Sequence, residues 1–180
     1  MRVQYISDIH LEFFHVEKVK SIGRNIHPVC DILVLAGDIG IPSHTNNHYR
    51  IFLEIIATKF KKIFIIAGNH EYYSMISRTS IKNAIQENCA NFCNITFLDK
   101  NWVDYDGYRW IGTTLWTKVD ENPRKTINDM NYICEFKPSD YNKEHESCCH
   151  FLETALVESS IPCVIITHHL PLTELIHPKF

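Results

Sequence analysis

Asp8-Ile9-His10, Gly37-Asp38 and Gly68-Asn69-His70-Glu71 each close an apolar, strand-like run. Together they offer carboxylate, imidazole and amide donors at what should be neighbouring strand ends, the set that a pair of divalent cations requires. Asp8 and His10 are two apart, and residues i and i+2 of an extended chain point to the same side, so both reach one ion. Asp38 follows a glycine at the end of a buried strand, where an unpaired carboxylate is costly unless it meets solvent or a cation. Its two oxygens make it the candidate bridge between two ions. Asn69 adds a neutral amide oxygen, and Gly68 before it lets the chain turn sharply. An isolated Asn is as readily a turn residue, but the shared position favours the metal reading, because open α/β sheets take ligands at the carboxyl ends of their strands. His168-His169 follow the last strand, and since neighbours on a strand face opposite sides, at most one of the two serves the same site. Oxygen and nitrogen donors without thiolate suit Mn, Fe, Zn or Mg. The chemistry such a set performs is metal-assisted hydrolysis of a phosphate ester.

The elements that must position these residues alternate. Apolar runs at 3–7, 31–36 and 62–67 read as strands, the last two continuous enough to be buried on both faces of a sheet. Between them, 16–26 is weakly helical and 46–60 carries helical periodicity behind an asparagine cap. A further helix is expected to open at Glu71 and run to about Cys89. Strand, helix, strand, helix is the grammar of an α/β sheet flanked by helices. From Ile95 the pattern changes to short strands at 95–98, 102–104 and 108–111, the last two joined across Asp106-Gly107, a strong hairpin signal. A second sheet of local hairpins is expected. The stretch 122–137 reads as a loop with a short helix, Pro138 opens a longer helix, and 163–167 is a final strand. Without repeats or linkers, 1–180 reads as one domain.

Composition narrows the classes. A chain of 180 residues with 45% apolar and 22% charged content buries one sizeable core. A formal net charge of −3 argues against a broad polyanion-binding face, and Lys59, Lys61 and Lys62 read as a solvated helix end. Seven cysteines, odd in number and without paired CxxC spacing, read as reduced thiols. With no signal peptide and no stretch of roughly 20 apolar residues, the expected location is the cytoplasm.

The ordered series DIH, GDIG, GNHE and THH resembles the calcineurin-like metallophosphoesterases, whose pattern reads D-x-H, GD, GNH(E/D), H and GHxH. Gly112-Thr113-Thr114-Leu115-Trp116-Thr117 and Asn128-Asp129-Met130 are similar to segments of a bacterial and viral branch of that family. The resemblance implies a four-layer α-β-β-α sandwich of the metallo-dependent phosphatase type, with a dinuclear metal centre between the ends of two sheets. It implies that Asp8 and His10 hold the first metal, that Asp38 bridges, and that Asn69 and His168 hold the second. His70 becomes the outer-sphere imidazole near the leaving group, and Glu71 reads as a carboxylate in the first turn of a helix. The closing GHxH has no counterpart here, so the chain reads as truncated, with C-terminal strands missing and three protein ligands per ion. Three ligands suffice for a catalytic zinc site. The function implied is hydrolysis of a phosphate mono- or diester by two divalent ions. Its rival is a catalytically impaired homologue that serves as a binding scaffold. Nucleic acid enters only as one of several candidate substrates.

Overall fold

The computed structural model describes residues 1–42, 47–119 and 127–176. Four parallel strands lie side by side in chain order: β1 (Val3–Ile6), β2 (Ile32–Ala36), β3 (Lys62–Ile66) and β4 (Ile95–Phe97). They are connected through α1 (Val16–Asn25), α2 (His48–Ala57) and α3 (Arg78–Ala90). Right-handed crossovers between strands added in one direction put all three helices on the same face. The strand period of two then sorts the core. Leu33, Leu35, Ile63 and Ile65 pack under the helices with Val19, Phe52, Leu53, Ile56, Ile81 and Ile85. Ile32, Val34, Phe64 and Ile66 turn the other way and pack with Leu98, Trp110 and Ile166. Burial on both faces is why β2 and β3 read as unbroken apolar runs.

The second face belongs to a second sheet of β5 (Asn101–Tyr105), β6 (Tyr108–Thr113) and β7 (Cys163–Thr167), in that order. Asp106 and Gly107, both at positive φ (52° and 76°), make the tight turn between β5 and β6. Between β6 and β7 run the short α4 (Asp129–Tyr132) and the long α5 (Pro138–Val157). α5 covers the outer face, where Trp102 stacks on Phe151 at 6.0 Å and Thr113 Oγ1 meets Cys148 Sγ at 3.1 Å. The layers are therefore helix, sheet, sheet, helix. Phe64 and Trp110, stacked at 4.3 Å, mark the contact between the sheets.

Three expectations are revised. β4 joins the first sheet, because α3 carries the chain back as another parallel crossover. β7 pairs with β6 in parallel, so the second sheet is one hairpin plus a crossover strand. The helix expected at Glu71 begins at Arg78, where the Ser77 side chain caps it by accepting from Ser80 N–H at 3.2 Å. Residues His70–Tyr72 form a single 3₁₀ turn, because the Glu71 carboxylate is engaged elsewhere. The asparagine cap expected at residue 46 lies outside the described residues, as do 120–126. The lysine cluster is structural: Lys59 Nζ donates to the carbonyls of Gly23, Arg24 and Ile26, Lys61 pairs with Asp31, and Lys62 donates to Thr96.

Gly112 faces the inter-sheet core with no room to spare, since a Cβ there would lie 2.3 Å from Leu98 Cβ and 2.8 Å from Ile66 Cγ2. Gly112→Ala should lower stability by about 1–3 kcal/mol through overpacking, read as an earlier urea midpoint with an unchanged slope.

Candidate metal centre

The loops after β1, β2, β3 and β7 meet at one edge. The first two run alongside each other: Asp8 N–H donates to Gly37 O (3.1 Å), His10 N–H to Asp38 O (3.0 Å) and Leu11 N–H to Ile39 O (2.9 Å). Asp8, His10 and Asp38 all adopt left-handed backbone, at φ 56°, 54° and 54°. Non-glycine residues in this region cost about 1–3 kcal/mol each and cluster where a site over-determines them. The extended geometry expected for Asp8 and His10 therefore does not occur. Both residues lie past the end of β1, and hydrogen bonds to the neighbouring loop bend the chain so that both approach Asp38.

Glu71 is the strut beneath. It is fully buried and accepts from the backbone N–H groups of Asp38 (2.9 Å), Ile39 (2.7 Å), Gly40 (3.3 Å) and Gly68 (2.7 Å). Burial and the nearby Asp38 charge push its carboxyl up to about 7, against the pull of those N–H donors. The helix-turn role expected for Glu71 is thus replaced by a clamp that joins the loop after β2 to the loop after β3.

Asp38 is 3% exposed. Its Oδ1 accepts from His70 N–H at 2.9 Å, and its Oδ2 lies 3.4 Å from His168 Nε2 and 3.9 Å from His10 Nε2. Two groups of donor atoms, each within 4.8 Å of one another, share it: Asp8, Asp38 and His168, and His10, Asp38 and His70. Asn69 Oδ1 lies 3.2 Å from His168 Nε2, so all six sequence-predicted site residues come together. His168 Nδ1 donates to Ala36 O at 2.9 Å, which leaves Nε2 facing the cluster. His169 turns away to Thr117 Oγ1 (3.3 Å) and the edge of Trp116.

The electrostatics are those of an acidic cage. Burial opposes charge on Asp38 and on His168, but their mutual hydrogen bond and attraction win. Asp38 is held below the usual carboxylate range, and His168 is raised to about 9. Burial, followed by repulsion from His168, drives His169 down to about 4.

Two carboxylates were not singled out from sequence. Glu12 Oε1 stands 3.3 Å from His10 Nδ1 and 3.7 Å from His70 Nδ1, while its Oε2 is buried without a hydrogen-bond partner among the described residues. The D-x-H-x-E spacing carried that signal. Asp129 accepts from Asn69 Nδ2 at 2.8 Å; it sits in the stretch with the weakest periodicity, and the family-like segment Asn128-Asp129-Met130 marked its place without giving it a role. The donor set fits divalent cations: oxygen and imidazole donors converge on a shared carboxylate, no thiolate takes part, and a carboxylate backs the imidazoles.

The calcineurin-like phosphoesterase family model matches residues 1–179. The chain belongs to the calcineurin-like phosphoesterase family. Membership carries metal-dependent hydrolysis of phosphate esters as the general activity. L509, an uncharacterized protein of Acanthamoeba polyphaga mimivirus, is 30% identical over 195 residues, spanning 96% of this chain and 69% of that one. Among solved structures, a phosphopantetheinyl hydrolase from Mycobacterium tuberculosis superposes with a TM-score of 0.62 at 16% identity, covering 99% of this chain and 73% of the other. A second solved structure gives 0.60 at 19% identity with the same coverage. At such identities the likeness speaks for the phosphoesterase fold. No helix among the described residues is long and apolar enough to cross a membrane.

Gly68 matters for close approach rather than for a sharp turn. A Cβ there would lie 2.1 Å from Asp38 Oδ1 and 2.8 Å from His168 Nε2. Gly68→Ala should displace Asp38 and lower Mn²⁺ uptake at least tenfold while the chain still melts cooperatively, as measured by calorimetric titration and thermal denaturation.

Proposed function

We propose that this phosphoesterase hydrolyses a phosphate mono- or diester with two divalent cations, held by Asp8, His10, Asp38, Asn69 and His168. The observation that carries this reading is Asp38, a buried carboxylate shared by two donor groups, one with Asp8 and His168 and the other with His10 and His70. Asp8 and His10 reach it from the loop after β1, and Asn69 and His168 from the loops after β3 and β7. When bound, two such ions neutralise the phosphoryl oxygens, activate a water as nucleophile and stabilise the charge that develops during in-line displacement.

The chain's own groups supply the rest. His70 is the proton donor to the leaving oxygen. Its ring is stacked on Tyr73 at 4.0 Å, lies edge-on to His10 at 4.5 Å, and has Nδ1 directed at Glu12. That confinement fixes the plane in which Nε2 can deliver a proton. Glu12 backs both imidazoles and keeps His10 in the tautomer whose Nε2 faces Asp38. Seven free cysteines support a reducing compartment such as the cytoplasm.

The alternative is a catalytically impaired homologue that keeps the fold and serves as a binding scaffold. Titration with Mn²⁺ alongside hydrolysis of an aryl phosphate diester separates the two readings: turnover that rises with bound metal supports the enzyme, and absence of binding at millimolar Mn²⁺ supports the scaffold. His70→Ala should lower kcat about 10²- to 10⁴-fold with Mn²⁺ content unchanged, measured by steady-state kinetics and elemental analysis. Equal loss of metal and turnover would contradict the role given to His70.

A further inference from the structure

We infer that Asp129 is a positioning residue that sets two parts of the proposed site together, the amide of Asn69 and the ring of His70. The inference rests on the metal reading above and adds a group to which that reading gives no role. Asp129 opens α4, is 3% exposed, and forms no ion pair with Lys or Arg among the described residues. A buried carboxylate without such a partner is expensive unless its lone pairs are taken. Here three donors take them: Asn69 Nδ2 at 2.8 Å and Tyr73 Oη at 2.5 Å on Oδ1, and Tyr141 Oη at 2.9 Å on Oδ2.

The first two donors point the effect into the site. An ionised carboxylate only accepts, and the Asn69 amide has one donating end and one accepting end. Asp129 therefore selects the rotamer in which Nδ2 faces outward and Oδ1 faces His168 and the donor cluster. The opposite flip would present N–H groups to a cation and leave Asp129 facing an oxygen. Tyr73, held by the same oxygen, is the ring on which His70 stacks, and it continues the column to Tyr132 at 5.1 Å. One carboxylate thus fixes the polarity of a ligand and the plane of the proton donor. The backbone bridges of Tyr73 and Ser74 to Ile133 hold α4 in register with the 3₁₀ turn that carries His70. Tyr141, from α5, secures Asp129 through its other oxygen, Oδ2.

Calorimetric titration with Mn²⁺ and steady-state hydrolysis of an aryl phosphate diester test this on the full chain and three variants. Asp129→Ala should weaken Mn²⁺ affinity about 10- to 100-fold, the usual cost of losing an outer-shell partner, and should lower kcat with little change in KM. Asp129→Asn can keep its carbonyl toward Asn69 and turn its NH₂ to Tyr141, so binding should recover to within a few-fold of the wild type. Tyr141→Phe removes a hydrogen bond of the same buried carboxylate from the far side and should lower the melting temperature while Mn²⁺ affinity stays unchanged. Should Asp129→Ala fail to melt cooperatively, Asn69→Asp compared with Asn69→Asp/Asp129→Asn decides, since only the double variant restores a donor facing an acceptor and so regains Mn²⁺ binding. Equal Mn²⁺ affinity in wild type and Asp129→Ala, equal losses in Asp129→Ala and Tyr141→Phe, or no recovery in the double variant would overturn the inference. A wild-type chain that binds no Mn²⁺ would instead contradict the metal reading itself.

Discussion

Four backbone N–H groups converge on one buried carboxylate, Glu71, and the rest of the site depends on that convergence. The loops after β2 and β3 have no sheet partner of their own, and a loop turned into the interior must find acceptors for its N–H groups. Glu71 supplies them for Asp38, Ile39, Gly40 and Gly68. Hydrogen bonds to a charged group contribute about 1.5–3 kcal/mol each, comparable to the cost of holding Asp8, His10 and Asp38 in left-handed backbone. The strain is tolerated because the clamp and the ladder between the loops over-determine those conformations. Gly37 and Gly68 then let Asp38 and His168 approach to distances at which any Cβ would collide.

This clamp links fold to chemistry. Parallel strands deliver their carboxyl ends to one edge, the second sheet brings β7 and His168 to the same edge, and Glu71 fixes the two loops that carry Asp38 and Asn69. The mutual attraction of Asp38 and His168, one low and the other raised to about 9, shows a cage that favours positive charge. In the proposed reading, His168 would be one of the residues that hold a divalent cation.

Legibility from sequence followed the range of the interactions. β2 and β3 were plain because burial on both faces leaves continuous apolar runs, and the β5–β6 turn was plain because Asp106-Gly107 is local chemistry. The ligand candidates were legible as residues following strand ends. What escaped was non-local. β4 and β7 found their partners through helical crossovers that no short pattern encodes. Glu71 looked like a helix-start residue because its four donors lie three and about thirty positions away. Asp129 meets Asn69 across 60 residues, so only the folded chain reveals that one orients the other.

Anomalous diffraction from a crystal of this chain soaked in Mn²⁺ tests the shared role of Asp38 most directly. Two peaks flanking the Asp38 carboxylate are expected, one beside Asp8 and His10 and the other beside Asn69 and His168. Bound Mn²⁺ located away from Asp38, or a fully ordered cluster with no anomalous density at saturating metal, would contradict that role.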